Sequence, residues 1–202
     1  MNTPALALPS VGRSLLRAID LPAREALETA RRPLSYTLTP ALIGLSLIAL
    51  ASLISAALDP GRTGTASLVP RADVLRAVIE ALAVVVPGAI GFAVYLQLRI
   101  PARAMLAATA IGLLVGGVVA ISLVPLMAFL AIVARAQPTA LVTPGFLVPA
   151  IALAAVAAIP VRVIRALDRS DRATWLARAF SVLVFAAFAI RVAPYVRELF
   201  TR

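Results

Sequence analysis

Residues 104–134 read AMLAATAIGLLVGGVVAISLVPLMAFLAIVA, thirty-one positions without a single charge. A helix rising about 1.5 Å per residue would extend roughly 46 Å over that run. This exceeds the roughly 30 Å hydrocarbon layer of a bilayer and is too short for two crossings. Pro125 offers a kink, after which residues 126–134 can tilt or bend along the interface, and Arg135, Gln137 and Pro138 end the run. Its length and polarity fit a lipid environment, and the same pattern recurs on both sides of it.

Upstream, residues 38–58 form a second uncharged stretch, with Thr39 before Pro40 as a helix start and Asp59-Pro60-Gly61 as a stop. Residues 78–98 follow a polar loop, and Arg76 and Glu80, four apart, can pair at the interface. Pro87, Gly88 and Gly91 fall near the middle of this span and predict a helix break, read either as a hinge or binding cleft or as a packing kink. Downstream, residues 145–161 are Ala-rich and lead directly into Arg162, Arg165, Arg169 and Arg172, whose spacing places them on one face of a continuing helix. With Asp168 and Asp171 interleaved beyond the span, this pattern reads as a basic stripe at the headgroups rather than a voltage sensor. Residues 175–195 make the last span: Trp175 and Tyr195 are twenty residues apart, which sets one ring at each interface, and Arg178 and Arg191 can snorkel. A half-inserted helix is the alternative there. The expected fold is an all-α polytopic membrane bundle of five spans over 38–198, with a short tail at 199–202.

The leading segment, residues 1–37, carries Arg13, Arg17, Arg24, Arg31 and Arg32 and lacks the apolar core of a signal peptide. Val11, Leu15, Leu16 and Ile19 fall at helical spacing with Arg13 and Arg17 on another face. A second short helix is expected over Leu21–Arg31, with Pro22 in its first turn and Asp20 as cap. Such a pair suits a helix in the headgroup plane, apolar side down, or a segment packed on the protein's own cytoplasmic loops.

Composition narrows the chemistry. The chain is 62% hydrophobic and 14% charged, with a mean hydropathy of +1.01, far from the balance of a soluble domain. It has no Cys and no His, which excludes thiol chemistry, disulfides, the usual zinc sites and His-ligated haem. All nineteen basic residues are Arg, so no Lys can form a Schiff base. No metal, cofactor or catalytic residue is expected. The net charge of +10 does not read as nucleic-acid binding, because the arginines sit at the ends of apolar runs, where anionic lipid is the natural partner. With the amino terminus inside, the inner segments hold twelve Arg and the outer ones seven, which favours a cytoplasmic amino terminus. A bacterial inner membrane is the expected location.

The spans from 38 to 161 carry no mid-membrane charge, and Ser46, Ser52, Ser55, Ser122 and Ser181 have no base nearby in sequence. What they do carry is small residues. Gly112, Gly116 and Gly117, flanked by Ala108 and Ala120, predict a flat strip on the third span, and Ala150, Ala154 and Ala158 predict another on the fourth. Such strips let helix backbones approach closely, within the chain or between it and a second copy or another membrane protein.

The basic amphipathic stretch Leu15-Leu16-Arg-Ala-Ile19-Asp-Leu-Pro22, leading through Arg31-Arg32-Pro33 into five spans, resembles bacterial members of the Yip1-like family of small five-helix membrane proteins. The resemblance lies in layout across most of the chain and carries over no functional residue. It implies a non-enzymatic role in membrane organisation or trafficking. The sequence therefore points to a structural or interaction scaffold. A permease or channel for a neutral or apolar solute, with its cleft at Pro87–Gly91, and an accessory subunit of a larger membrane complex are the competing readings.

Overall fold

A backbone crossing hydrocarbon has to satisfy its own N–H and C=O groups, and a helix does so within one segment. The computed structural model describes residues 17, 21–57, 69–133 and 142–200, and every regular element among the described residues is helical. In chain order they are α1 (Pro22–Ala30), α2 (Leu34–Ala57), α3 (Val69–Tyr95), α4 (Ala102–Ser122), α5 (Val124–Val133), α6 (Val142–Leu167) and α7 (Asp171–Phe200). Five stretches are long and apolar enough to cross a bilayer: Leu34–Ile54, Val78–Tyr95, Ala102–Leu126, Ala150–Leu167 and Asp171–Ile190. The chain is thus an all-α bundle of the integral membrane class.

Several boundaries move from where the sequence put them. α2 starts at Leu34 rather than at Thr39, so Pro40 lies inside the helix, and the Thr39 hydroxyl donates to the Ser35 carbonyl at 3.1 Å. The long run 104–134 is two helices. Pro125 has no N–H and its ring crowds the carbonyl four residues back, so the α-helical ladder stops at Leu123, whose N–H closes α4 on Val119 and Ala120. Beyond Val161 the helix continues as expected: α6 passes through the buried Pro160 and ends at Leu167. α7 runs unbroken over 30 residues and contains both Trp175 and the backbone of Tyr195. The stops at Asp59-Pro60-Gly61 and Arg135–Pro138 lie outside the described residues.

The expected break in the second span is absent. α3 continues through Pro87 to Tyr95, and Pro87, Gly88 and Gly91 are exposed on its outer side. A Cβ added at Gly88 or Gly91 meets nothing within 4 Å. Facing outward with open space beside them, these residues line no cleft between the described helices. α3 ends instead at a hydrogen-bonded turn: the Leu98 N–H reaches the Ala93 carbonyl at 2.9 Å and the Gln97 N–H reaches Val94 at 3.0 Å. Gln97 takes the left-handed conformation, with φ 54°, that this cap requires.

α4 is the axis of the bundle. In its most apolar stretch 72% of residues are buried, against 17% in α2. The reason lies in its small side chains. Gly112 and Gly116 abut the backbone of Val156 and Ala152 on α6; a Cβ on Gly112 would stand 2.5 Å from the Val156 carbonyl oxygen, and one on Gly116 would stand 2.8 Å from that of Ala152. Those two pairings run in opposite directions, so α4 and α6 are antiparallel. Gly117 belongs to a different contact: its Cβ would lie 2.6 Å from the Gly44 carbonyl oxygen of α2, and Gly44 in turn touches the backbone of Leu113. One strip of glycines therefore serves two neighbours. The second expected strip faces the wrong way. Ala154 is exposed and Ala150 and Ala158 only partly covered, while Ala152, Val156 and Ala157 are buried. Two residues along a helix turn the face by about 200°, so the contact register falls on 152 and 156. α7 closes the other side, stacking on α6 and α3, with Phe180 and Val184 in the core and Phe92 tilted against Trp175 at 6.3 Å between ring centroids.

These contacts separate two kinds of glycine. Gly44→Ala or Gly112→Ala pushes a methyl into a neighbouring backbone and is expected to cost about 1–3 kcal/mol of stability. Gly88→Ala and Gly91→Ala have free space and gain about 0.5–1 kcal/mol from helix propensity. Unfolding of the purified protein in a mild detergent, followed by circular dichroism, distinguishes the two groups. Gln97→Gly is expected to raise stability by up to about 1 kcal/mol in the same assay, since glycine adopts that φ without a Cβ penalty.

Candidate functional site

The termini of α1, α4, α6 and α7 and the turns between them gather charge at one end of the bundle. Arg31 and Arg32 precede α2, Arg99 and Arg103 bracket the α3–α4 turn, and Arg162, Arg165, Arg169, Arg172 and Arg178 surround the α6–α7 turn; all are exposed, as are Arg17 and Arg24. Arg13 lies outside the described residues. The guanidinium of Arg32 stacks over the Tyr36 ring at 5.6 Å, and Arg24 pairs with Glu28 at 3.3 Å on the outer side of α1. An exposed pair of this kind adds little stability, so the arginines are left displayed rather than consumed.

The four arginines after the fourth span do not share a continuing helix, as their spacing suggested. Arg162 and Arg165 ride the last turns of α6, Arg169 sits in the turn, and Arg172 is in the first turn of α7. Asp168 and Ser170 cause the break. The Ser170 N–H donates to the Asp168 carboxylate at 2.9 Å, and the Ala173 N–H donates to the Ser170 hydroxyl oxygen at 3.2 Å, capping α7. The Ser170 N–H and hydroxyl, followed by the amide and charge of Arg99, hold the Asp168 carboxyl below the usual carboxylate range; partial burial opposes them. The antiparallel packing of α4 and α6 sets residues 99–103 and 162–172 on one side of the bundle.

α1 departs furthest from expectation. It does not lie on the headgroups with its apolar side towards lipid, nor does it pack only on loops. Its inner face sits against the bundle, where Ala26 joins Ala104, Ala108, Ile111 and Leu114 of α4 and Ile159 and Val163 of α6 in one apolar cluster. Ala104 to Leu114 covers about 15 Å of helix, so α1 reaches well into the bundle from the arginine-rich end. Its N-cap is Leu21, without a side-chain capping hydrogen bond; Asp20, the expected cap, and the first expected helix before it lie outside the described residues apart from Arg17. The inner face reads Pro22, Glu25, Ala26, Thr29. Glu25 is 6% and Thr29 5% exposed, and among the described residues neither side chain makes a hydrogen bond or ion pair. Thr109, the other buried polar residue, donates to the Met105 carbonyl at 2.9 Å. Sequence reasoning missed Glu25 because the carboxylate precedes the spans. Its one signal was the i, i+3, i+4, i+7 spacing that puts Glu25 and Thr29 on one face with Pro22 and Ala26.

Elsewhere the serines behave as helix-bound hydroxyls: Ser122 donates to Val118 and Ser181 to Ala177. Among the described residues no group of three or more Asp or Glu could hold a metal ion. The side chains of Arg76 and Tyr195 lie outside those described. The chain matches no family model, and comparison with curated proteins and with solved structures gives no match either.

The α6–α7 turn yields a measurable consequence. A carboxyl whose folded pKa lies below its unfolded value stabilises the fold above that unfolded value and loses this contribution as pH falls through the folded one. Asp168→Ala is therefore expected to lower the melting temperature at pH 7, and the gap to the unsubstituted protein should begin to narrow as pH drops below the ordinary value of 3.8. Ser170→Ala should cost about 1 kcal/mol through the lost cap of α7. A gap that persists undiminished at pH 3 would count against the Asp168 assignment.

Proposed function

We propose that this chain is a non-enzymatic scaffold of a bacterial inner membrane, one that organises lipid or a membrane partner through its arginine-rich cytoplasmic end. The observation that carries this reading is the convergence of exposed arginines on the α3–α4 and α6–α7 turns, which the antiparallel packing of α4 and α6 brings to one end of the bundle. Guanidinium groups at the edge of a bundle match phosphate diesters in charge and in hydrogen-bonding geometry. The excess of arginine on this end supports a cytoplasmic amino terminus. Absence of Cys, His and Lys from the sequence supports a role without catalysis, as does the use of glycine and alanine for close packing. The Yip1-like layout belongs to the same proposal. The permease reading placed its cleft at Pro87–Gly91; those residues face outward, and no observation favours it.

The lipid arm is tested in nanodiscs of mixed phosphatidylglycerol and phosphatidylcholine. Changing Arg31, Arg32, Arg165 and Arg169 together to Gln is expected to reduce enrichment of phosphatidylglycerol around the protein several-fold, and 0.5 M salt should mimic the change. Equal enrichment in both proteins would remove the headgroup role. For the scaffold arm, purification from native membranes in mild detergent is expected to return a stable homo-oligomer or a stoichiometric membrane partner. A lone monodisperse monomer would count heavily against it.

A further inference from the structure

We infer that α1 is a strap that docks reversibly on the α4–α6 groove, and that Glu25 is the residue that keeps the docking reversible. The strap operates whatever the bundle binds. It stands on the makeup of the buried face of α1. Of the four residues on that face, only Pro22 and Ala26 bring purely apolar surface. The other two, Glu25 and Thr29, bring a carboxylate and a hydroxyl that are at least nine-tenths buried and have no partner among the described residues.

The apolar cluster around their neighbour Ala26 supplies no side-chain partner. Ala104, Ala108, Ile111, Ile159 and Val163 have no polar side-chain atom. The charged groups nearby point elsewhere: Arg24 and Glu28 pair with each other on the outer side, and Arg103 and Arg162 are exposed. Docking therefore trades the burial of a few small side chains against stripping water or headgroups from two polar ones. When α1 lifts away, Glu25 and Thr29 regain those partners, and acyl chains can cover the vacated apolar groove without penalty, since lipid tails are as apolar as the groove itself. Nine residues are too few for a stable helix in isolation, so the freed strap loses order and gains entropy. Both states are populated because neither side of this balance is large, and the carboxylate, the costlier group to desolvate, sets its position.

The cysteine-free sequence makes the test direct. In the full chain reconstituted in nanodiscs, Thr29→Cys is labelled with a charged maleimide, with Leu21→Cys, at an exposed position, as reference. The Thr29→Cys thiol is expected to react slowly but measurably. Adding Glu25→Met, which keeps the side-chain length and removes the charge, should slow it at least tenfold while leaving Leu21→Cys unchanged. In a parallel measurement, Glu25→Met alone should raise the melting temperature of the protein. Labelling that is unchanged or faster with Glu25→Met would overturn the inference, as would a fall in melting temperature or a failure to fold. Each would mean that the carboxylate supports docking instead of opposing it.

Discussion

Backbone-to-backbone contact around α4 is the constraint on which the other packing depends. In lipid there is no gain from hiding apolar area between helices, so association has to come from close van der Waals approach. Gly112 and Gly116 let α6 come near on one side, and Gly117 with Gly44 lets α2 come near on the other. The α6 register that follows turns Val163 and Ile164 inward and leaves Arg162 and Arg165 exposed. It also brings the end of α6 level with the start of α4, so the α3–α4 and α6–α7 turns share one end of the bundle. The clustering of charge at one end thus descends from the absence of side chains in the middle.

The bundle was legible in the sequence because hydrocarbon tolerates so little. An uncharged stretch such as 38–58 or 104–134 has few structural options, and each of the five expected spans has a helical counterpart. Bounds were less legible, since proline acts according to its surroundings. Pro125 follows the end of α4 by three residues, yet Pro40, Pro87 and Pro160 sit inside helices that run past them. Facing was the least legible. On an Ala-rich helix such as α6 every face is small, so periodicity does not distinguish 150/154/158 from 152/156. In α4, neighbouring glycines 100° apart serve different partners, which no spacing rule separates.

The candidate site shows the same division. That arginines would mark the ends of spans followed from charge and lipid alone, and their exposure agrees with that role. Their grouping did not follow, because it depends on a turn. A run of four arginines at helical spacing looks like a single stripe until Asp168 and Ser170 are recognised as an Asx turn leading into an N-cap. That local competition, in which side chains offer the backbone an alternative to the helix, turns one stripe into two shorter groups on either side of a corner. The corner presents guanidinium groups along two directions instead of one.

α1 sets the two halves of the molecule in opposition. The glycine contacts of α4 are uniform and apolar, and they leave the bundle few ways to rearrange. α1 leans on that same helix through Ala104 and Ala108, but with a mixed face. A segment with an entirely apolar inner face would have become part of the core; one with an entirely polar face would not have docked at all. Glu25 and Thr29 put α1 between these limits. Because α1 lies beside the arginine-rich turns, lifting it away would alter the charge displayed at that end. A rigid bundle carrying one weakly held element can thereby alter its charged face without altering its fold.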